Sequence, residues 1–154
     1  RGCSGGVRRR RQWLIRVGVK RWTPDLPFYS CRRLLRGFEV VRPNILLKCF
    51  TAVEIAFLAD LDNKSDAAVL RVLMDAGLDS LPGGGAEVFS DRVRQKICHD
   101  KCGTERWLEI HKTAHRLGMK SNVTMLFGHI ETARERVEHM LQVRAVPDQS
   151  LTHL

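Results

Sequence analysis

Ser65–Glu87 reads SDAAVLRVLMDAGLDSLPGGGAE, and its reading decides the fold. Ser65 is a good N-cap, because its hydroxyl can accept an amide hydrogen of the first helical turn. From Asp66 to Ala76 the apolar residues Val69, Leu70, Leu73 and Met74 recur at helical spacing and form one buried stripe. Gly77 suits the left-handed position just past a helix end. Leu78–Pro82 then reads as a short strand running into the loop Gly83-Gly84-Gly85. A capped helix passing at once into an apolar strand is the unit from which parallel α/β folds are built.

The same alternation continues on both sides. Upstream, Phe28–Val41 has helical spacing, with Leu34, Leu35, Phe38 and Val41 on one side, and Arg42-Pro43-Asn44 ends it. Ile45–Thr51 (ILLKCFT) is an apolar run that predicts a buried strand. Downstream, a helix is expected from about Glu105 to Leu117, capped by Thr104 and ended by Gly118. Its inward residues are Trp107, Ile110, Ala114 and Leu117. Met119–Phe127 predicts a third strand. Thr132-Ala-Arg-Glu135 fits a capping box for a last helix to about Val143, with Val137, Met140 and Leu141 inward. Three to four βα units are thus visible, and the fold class expected is α/β, a partial (β/α) barrel. Residues 23–144 form that unit, 1–22 an atypical basic segment without sustained period, and 145–154 a tail.

Composition narrows the function classes. The chain has 154 residues and 44% hydrophobic side chains, enough for one core. Collagen-like, mucin-like and fully disordered classes are excluded. No apolar run nears the roughly 18 residues a bilayer crossing needs, and no apolar stretch follows the basic N-terminus as in a secretory signal. The net charge of +9 is unevenly placed: residues 1–48 hold 13 Lys/Arg and 2 Asp/Glu, and residues 49–154 hold 13 and 15. Arg8–Arg11, with Trp13 and Trp22 nearby, invites a nucleic-acid or membrane-surface reading, but no recognition motif accompanies it and a basic tail is preferred. Five unevenly spaced cysteines (Cys3, Cys31, Cys49, Cys98, Cys102) point to free thiols and a cytoplasmic setting.

In parallel α/β folds ligands bind at the C-terminal ends of the strands. Three segments fall there: Thr51–Glu54, Asp79–Glu87 and Gly128–Glu131. Position makes Thr51, Glu54, Asp79, Ser80, Asn122 and His129 the candidates for substrate contact. The triplet Gly83, Gly84 and Gly85 lets backbone approach a ligand, and Glu87 beyond it can accept from ribose hydroxyls; a plain turn stays equally open. The spacing is neither a dinucleotide fingerprint nor a P-loop. Cys98-His99-Asp100-Lys101-Cys102 has the look of a metal clip but lacks a second ligand pair, so a connecting loop is preferred. His111 and His115, four apart on one helix, read as a packed pair, and no metal ligand is assigned.

Gly77–Glu87 (GLDSLPGGGAE) with Arg92-Val-Arg94 and Lys96-Ile97, together with Trp107–Thr132 (WLEIHKTAHRLGMKSNVTMLFGHIET), resembles the radical S-adenosylmethionine enzymes of the futalosine menaquinone pathway. Phe50–Ile55 and Pro24–Phe28 favour the aminofutalosine synthases among them, over the cyclic dehypoxanthinyl futalosine synthases and FO synthases. The resemblance covers about residues 23–144. It implies S-adenosylmethionine and a [4Fe-4S] cluster as cofactors of a full-length parent. It also implies a donor such as flavodoxin or ferredoxin, and addition of a 5′-deoxyadenosyl radical to 3-[(1-carboxyvinyl)oxy]benzoate to form 6-amino-6-deoxyfutalosine. A small-molecule substrate is implied, with no nucleic acid and no membrane. By the same resemblance Glu87 binds the cofactor ribose, Leu126 touches adenine, Gly128 belongs to a GxIxGxxE-like pattern ending at Glu131, and Lys101 lies near the cofactor carboxylate.

The chain also departs from that pattern. The cluster motif CxxxCxxC is absent, and Val19-Lys20-Arg21-Trp22 stands where a Gly-Gly pair is expected before Pro24-Asp25. Thr124 replaces the first Gly of GxIxGxxE. The expectation is an internal fragment, beginning at Arg1 without an initiator Met, in which residues 1–22 come from a shifted frame or a splice. It is expected to be inactive alone and prone to self-association.

Overall fold

The computed structural model describes residues 12–14, 28–41 and 46–150, and the side chains of 28–41 and 46–146. The elements are β1 (Gln12–Leu14), α1 (Phe28–Val41), β2 (Leu46–Lys48), α2 (Ala52–Leu61), α3 (Asp66–Met74), β3 (Leu78–Leu81), α4 (Asp91–Ile97), α5 (Thr104–Arg116), β4 (Lys120–Ser121) and α6 (Ala133–Ser150). The strand order β1-β2-β3-β4 follows the chain, and every pairing is parallel. Parallel crossovers are right-handed in nearly all proteins. Strands added successively in one direction therefore keep their helices on one face, and the sheet curves as part of a (β/α) barrel.

The decisive stretch folds as its pattern predicts. Ser65 Oγ accepts from Ala68 N at 3.2 Å and caps α3. Val69, Leu70 and Leu73 are fully buried, Met74 is half-buried, and Gly77 takes φ +104°. The core joins Leu47 and Leu81 of the sheet to Leu35, Ile55, Leu58, Leu70, Leu73, Trp107 and Ile110 of the helices. Each such aliphatic side chain contributes about 1.5–3 kcal/mol by leaving water.

The structure corrects the pattern in several places. Thr51–Glu54 is a helix start, not the end of a strand. Thr51 Oγ1 accepts from Glu54 N, and the Glu54 carboxylate accepts from Thr51 N at 2.6 Å, capping α2. The sequence pattern does not reveal this helix, because Ala52, Ile55, Ala56, Leu58 and Ala59 are all buried and Glu54 and Asp60 are too few to mark a polar stripe. Seven residues are too few to show α4. The N-cap of α5 is Gly103, one residue before Thr104. Met119–Phe127 is not one strand. Only Lys120–Ser121 pairs; Asn122 N still donates to Leu81 O (3.1 Å), and the residues beyond bond the loop after β3 instead, through Thr124 Oγ1 to Gly83 O (2.6 Å) and Leu126 N to Glu87 O (3.0 Å). On α1 the buried residues are Phe28, Cys31 and Leu35, while Val41 lies exposed past the core.

The largest correction concerns α6, which runs past Val143 to Ser150 because its buried stripe continues to Val146. Val137, Met140 and Leu141 are more than half exposed; His139 and Val146 face inward. Polar contacts set that rotation. Phe89 N donates to His139 Nδ1 at 3.2 Å, Gln142 Nε2 reaches Phe89 O, and Glu135 accepts from Ser90 Oγ and Arg92. The capping box at its start forms as expected, with Thr132 N on Glu135 Oε2 at 2.7 Å. In the segment 1–22, β1 is a regular element that the sequence did not announce; Arg8–Arg11 lie outside the described residues.

Candidate cofactor and substrate site

Three loops leave the C-terminal ends of β2, β3 and β4 and meet. The first leaves β2 through Phe50, whose φ of +61° is strained for an aromatic residue; the ring is buried and Thr51 is delivered to the N-terminus of α2. The second contains the three glycines, which the structure shows to be close-packed. A Cβ on Gly83 would stand 2.5 Å from the Val123 backbone, one on Gly84 3.0 Å from Thr51 Cγ2, and one on Gly85 2.3 Å from Val53 Cγ2. The triplet thus lets three loops touch.

The carbonyls of this loop are held by side chains from elsewhere. Trp107 Nε1 donates to Gly84 O at 3.1 Å. Arg94 is buried and donates to Gly85 O, to Ala86 O at 2.7 Å and to Cys102 O at 2.6 Å. One guanidinium therefore ties the loop that carries Glu87 to the loop that carries Lys101. Their side chains meet: Lys101 Nζ lies 2.5 Å from Glu87 Oε1. Glu87 has φ +48°, and its carbonyl accepts from Leu126, whose side chain is half exposed. Glu87, Lys101 and Leu126, drawn from three separate segments, are thereby neighbours. Lys101 also lines two clefts, of about 310 Å³ toward α2 and about 360 Å³ toward α4.

The third loop is a closed turn. Gly128 (φ +92°) and His129 donate their amides to the Glu131 carboxylate at 2.7 and 3.0 Å. Those two backbone bonds, Gly128 first, hold Glu131 at a pKa of about 2. His129 Nε2 donates to Leu126 O at 2.9 Å, while its Nδ1 accepts from Ile130 N at 2.7 Å. Both nitrogens are used in shaping the turn, so His129 positions Leu126. In the same way Thr51 and Glu54 are engaged in the cap of α2. Asp79 accepts from Leu47 N at 2.8 Å, at the register shift between β2 and β3. Ser80 lies opposite Lys48, and Asn122 Oδ1 accepts from Lys48 Nζ. Lys48, Arg94, Trp107 and Thr124 were missed as site residues. Lys48 left a signal, as the only charge inside the apolar run ILLKCFT.

The histidines four apart converge on one hydroxyl: His111 Nδ1 and His115 Nε2 lie 2.9 and 2.8 Å from Ser121 Oγ. The His111 ring stacks on Trp107, centroids 3.7 Å apart. Burial, with His115 second, pushes the His111 pKa down to about 3. Among the described residues no three His, Cys, Asp or Glu side chains converge as a metal ion requires.

The donor set suits S-adenosylmethionine: a carboxylate for hydroxyls, an ammonium for a carboxylate, and an exposed aliphatic side chain for a flat base. It does not suit an iron–sulfur cluster, whose ligands are thiolates. Burial raises the pKa of Cys31, Cys98 and Cys102, and that of Cys49 to about 12, so each is held as a thiol. No described helix is long and apolar enough to cross a membrane.

Comparison with known proteins supplies the family. A family model described as the radical SAM superfamily matches residues 50–143. Aminodeoxyfutalosine synthase of Thermus thermophilus is 45% identical over 127 residues, which are 82% of this chain and 34% of the relative. The enzyme of the same name from Streptomyces coelicolor is 43% identical, covering 82% and 33%. A 5-amino-6-(D-ribitylamino)uracil–L-tyrosine 4-hydroxyphenyl transferase of Thermosynechococcus vestitus is also 43% identical, covering 78% and 30%. The chain spans about a third of the length of these curated relatives. With most of its described barrel inside the matched region, the chain belongs to the radical SAM superfamily.

Proposed function

We propose that this chain is the central barrel section of an aminodeoxyfutalosine synthase-type enzyme, and that Glu87, Lys101 and Leu126 form part of its S-adenosylmethionine site. The observation that carries the reading is the meeting of those three residues at one strand-end loop cluster, fastened by Arg94. The two aminodeoxyfutalosine synthase relatives support it. When bound, S-adenosylmethionine would accept one electron from the parent's [4Fe-4S] cluster, release methionine and so supply a 5′-deoxyadenosyl radical for addition to the enol ether of 3-[(1-carboxyvinyl)oxy]benzoate, toward 6-amino-6-deoxyfutalosine.

The chain's own residues bind and orient. Glu87 accepts from ribose hydroxyls and Lys101 turns from Glu87 to the cofactor carboxylate. Leu126 covers the adenine, held in place by the Gly128–Glu131 turn. Ser80 and Asn122 face the substrate. Gly83–Gly85 let the loops close together, which excludes water and fixes the reacting groups. The described cysteines do not fit the cluster, which is assigned with its flavodoxin- or ferredoxin-type donor to the full-length protein. A cytoplasmic setting suits the free thiols. A second reading, the uracil–tyrosine transferase chemistry named for the Thermosynechococcus relative, is favoured by an identity nearly as high.

Two experiments test this. Calorimetry on the 154-residue chain should show S-adenosylmethionine binding that weakens in Glu87→Gln; no binding refutes the site. A chimera carrying residues 23–144 in the Thermus enzyme should turn over 3-[(1-carboxyvinyl)oxy]benzoate; activity on tyrosine with 5-amino-6-(D-ribitylamino)uracil instead establishes the second reading. The isolated chain should form no 5′-deoxyadenosine after anaerobic iron–sulfur reconstitution.

A further inference from the structure

Among the described residues, every large apolar side chain that is more than half exposed belongs to α1, to α6 or to the loop leading into α6. These helices stand at the two ends of the sheet. Among the described residues β1 pairs only with β2, and β4 only with β3, so both edges of the four-stranded sheet are open. An open edge presents a row of unpaired backbone donors and acceptors to a further strand.

Both end helices are apolar on the flank turned away from the rest of the chain. On α1, Glu39 faces α3: a Cβ on Gly77, just past that helix, would lie 3.5 Å from Glu39 Oε2. Val41, two residues on and so about 200° around the helix, lies on the opposite flank in one stripe with Leu34 and Phe38. Val41 is 70% exposed, and a Cβ on Gly37 beside that stripe would meet nothing within 4 Å. On α6, Glu135 and Gln142 face the preceding unit through Ser90, Arg92 and the Phe89 carbonyl. Met140, two residues before Gln142, is therefore on the far flank, 52% exposed.

In an eight-stranded (β/α) barrel, four strands span half the circumference. A second copy rotated by a half-turn about the barrel axis meets the first at both edges. β4 then runs parallel to β1 of the other copy, and the Met140 flank of α6 packs on the Val41 flank of its α1. Two such head-to-tail joints close a ring, so assembly stops at two copies. The surface suffices: the chain exposes 10274 Å², against about 7,900 Å² for a compact monomer of 17.6 kDa. The excess is larger than the roughly 800 Å² that one partner gives to a standard interface.

We infer that two copies of this chain close one eight-stranded barrel, β4 and α6 of each protomer joining β1 and α1 of its partner. This pairing is independent of the cofactor reading.

Sedimentation velocity of the 154-residue chain should give one species of about 35 kDa, twice the chain mass of 17.6 kDa. Met140→Glu and Val41→Lys each place an unpaired charge in both joints and should each weaken the homodimer about a hundredfold. Mixing the two variants should restore a dimer, because the hybrid gathers the two opposite charges in one joint and leaves the other joint unaltered. The reversed pair, Met140→Lys with Val41→Glu, should behave alike. Far-UV circular dichroism checks that each variant keeps its helices. A monomeric chain, open assemblies of growing mass, a homodimer that Val41→Lys leaves intact, or mixed variants that stay monomeric overturn the closed barrel.

Discussion

Gly85→Ala is the sharpest probe of how the site is built. Two penalties act there together. The backbone stands at φ +84°, where an L-residue costs about 1–2 kcal/mol. The new methyl would also lie 2.3 Å from Val53 Cγ2 and 3.5 Å from Val53 Cβ. Val53 sits in the first turn of α2, where a β-branched side chain is confined to one rotamer and cannot swing aside. Overpacking of this kind costs about 1–3 kcal/mol, so the variant should lose about 2–5 kcal/mol, the sum of the two. Val53→Ala removes Cγ2 and with it the second penalty only. A double-mutant cycle by urea unfolding, followed by far-UV circular dichroism, should show a favourable coupling of about 1–3 kcal/mol, with the backbone penalty remaining. A loss below about 1 kcal/mol for Gly85→Ala, or additive losses in the double variant, refutes the packing argument.

Other outcomes follow from the same contacts. Arg94→Met leaves the carbonyls of Gly85, Ala86 and Cys102 without their donor and should cost about 2–5 kcal/mol in urea unfolding. Because the folded-state pKa of His111 is depressed to about 3, the unfolded chain binds more protons below pH 6.5. Stability is therefore full above that pH and falls as pH drops toward 3, by at most about 1.4 kcal/mol per pH unit for this residue. His115 and His139 shift in the same direction, and His111→Phe should flatten the slope between pH 6.5 and 4.5, above the carboxylate range. Ser65→Ala removes the cap of α3 and should cost about 1 kcal/mol by thermal unfolding. On α6, Val137→Lys should change stability by less than about 0.5 kcal/mol while His139→Ala costs more, as exposed and buried positions differ.

The sequence by itself determined the features that arise within a few residues. Ser65 and its helix, the Thr132–Glu135 box and the turn at Gly77 were legible because caps and left-handed glycines act on their own neighbours. The parallel alternation was legible because buried strands and amphipathic helices repeat with different periods. Helix α2, apolar but for Glu54 and Asp60, and α6, with apolar residues on two faces, were not legible, since no local pattern says which side meets the core. For α6 the answer came from Phe89, Ser90 and Arg92, more than forty residues away. The site is tertiary in the same sense. Glu87 and Lys101 are 14 residues apart and meet because Arg94 holds both loops, and Lys48 reaches Asn122 across 74 residues. Only strand pairing, a long-range property, could leave β1 and β4 as the two edges of the sheet, because it joins segments far apart in the chain.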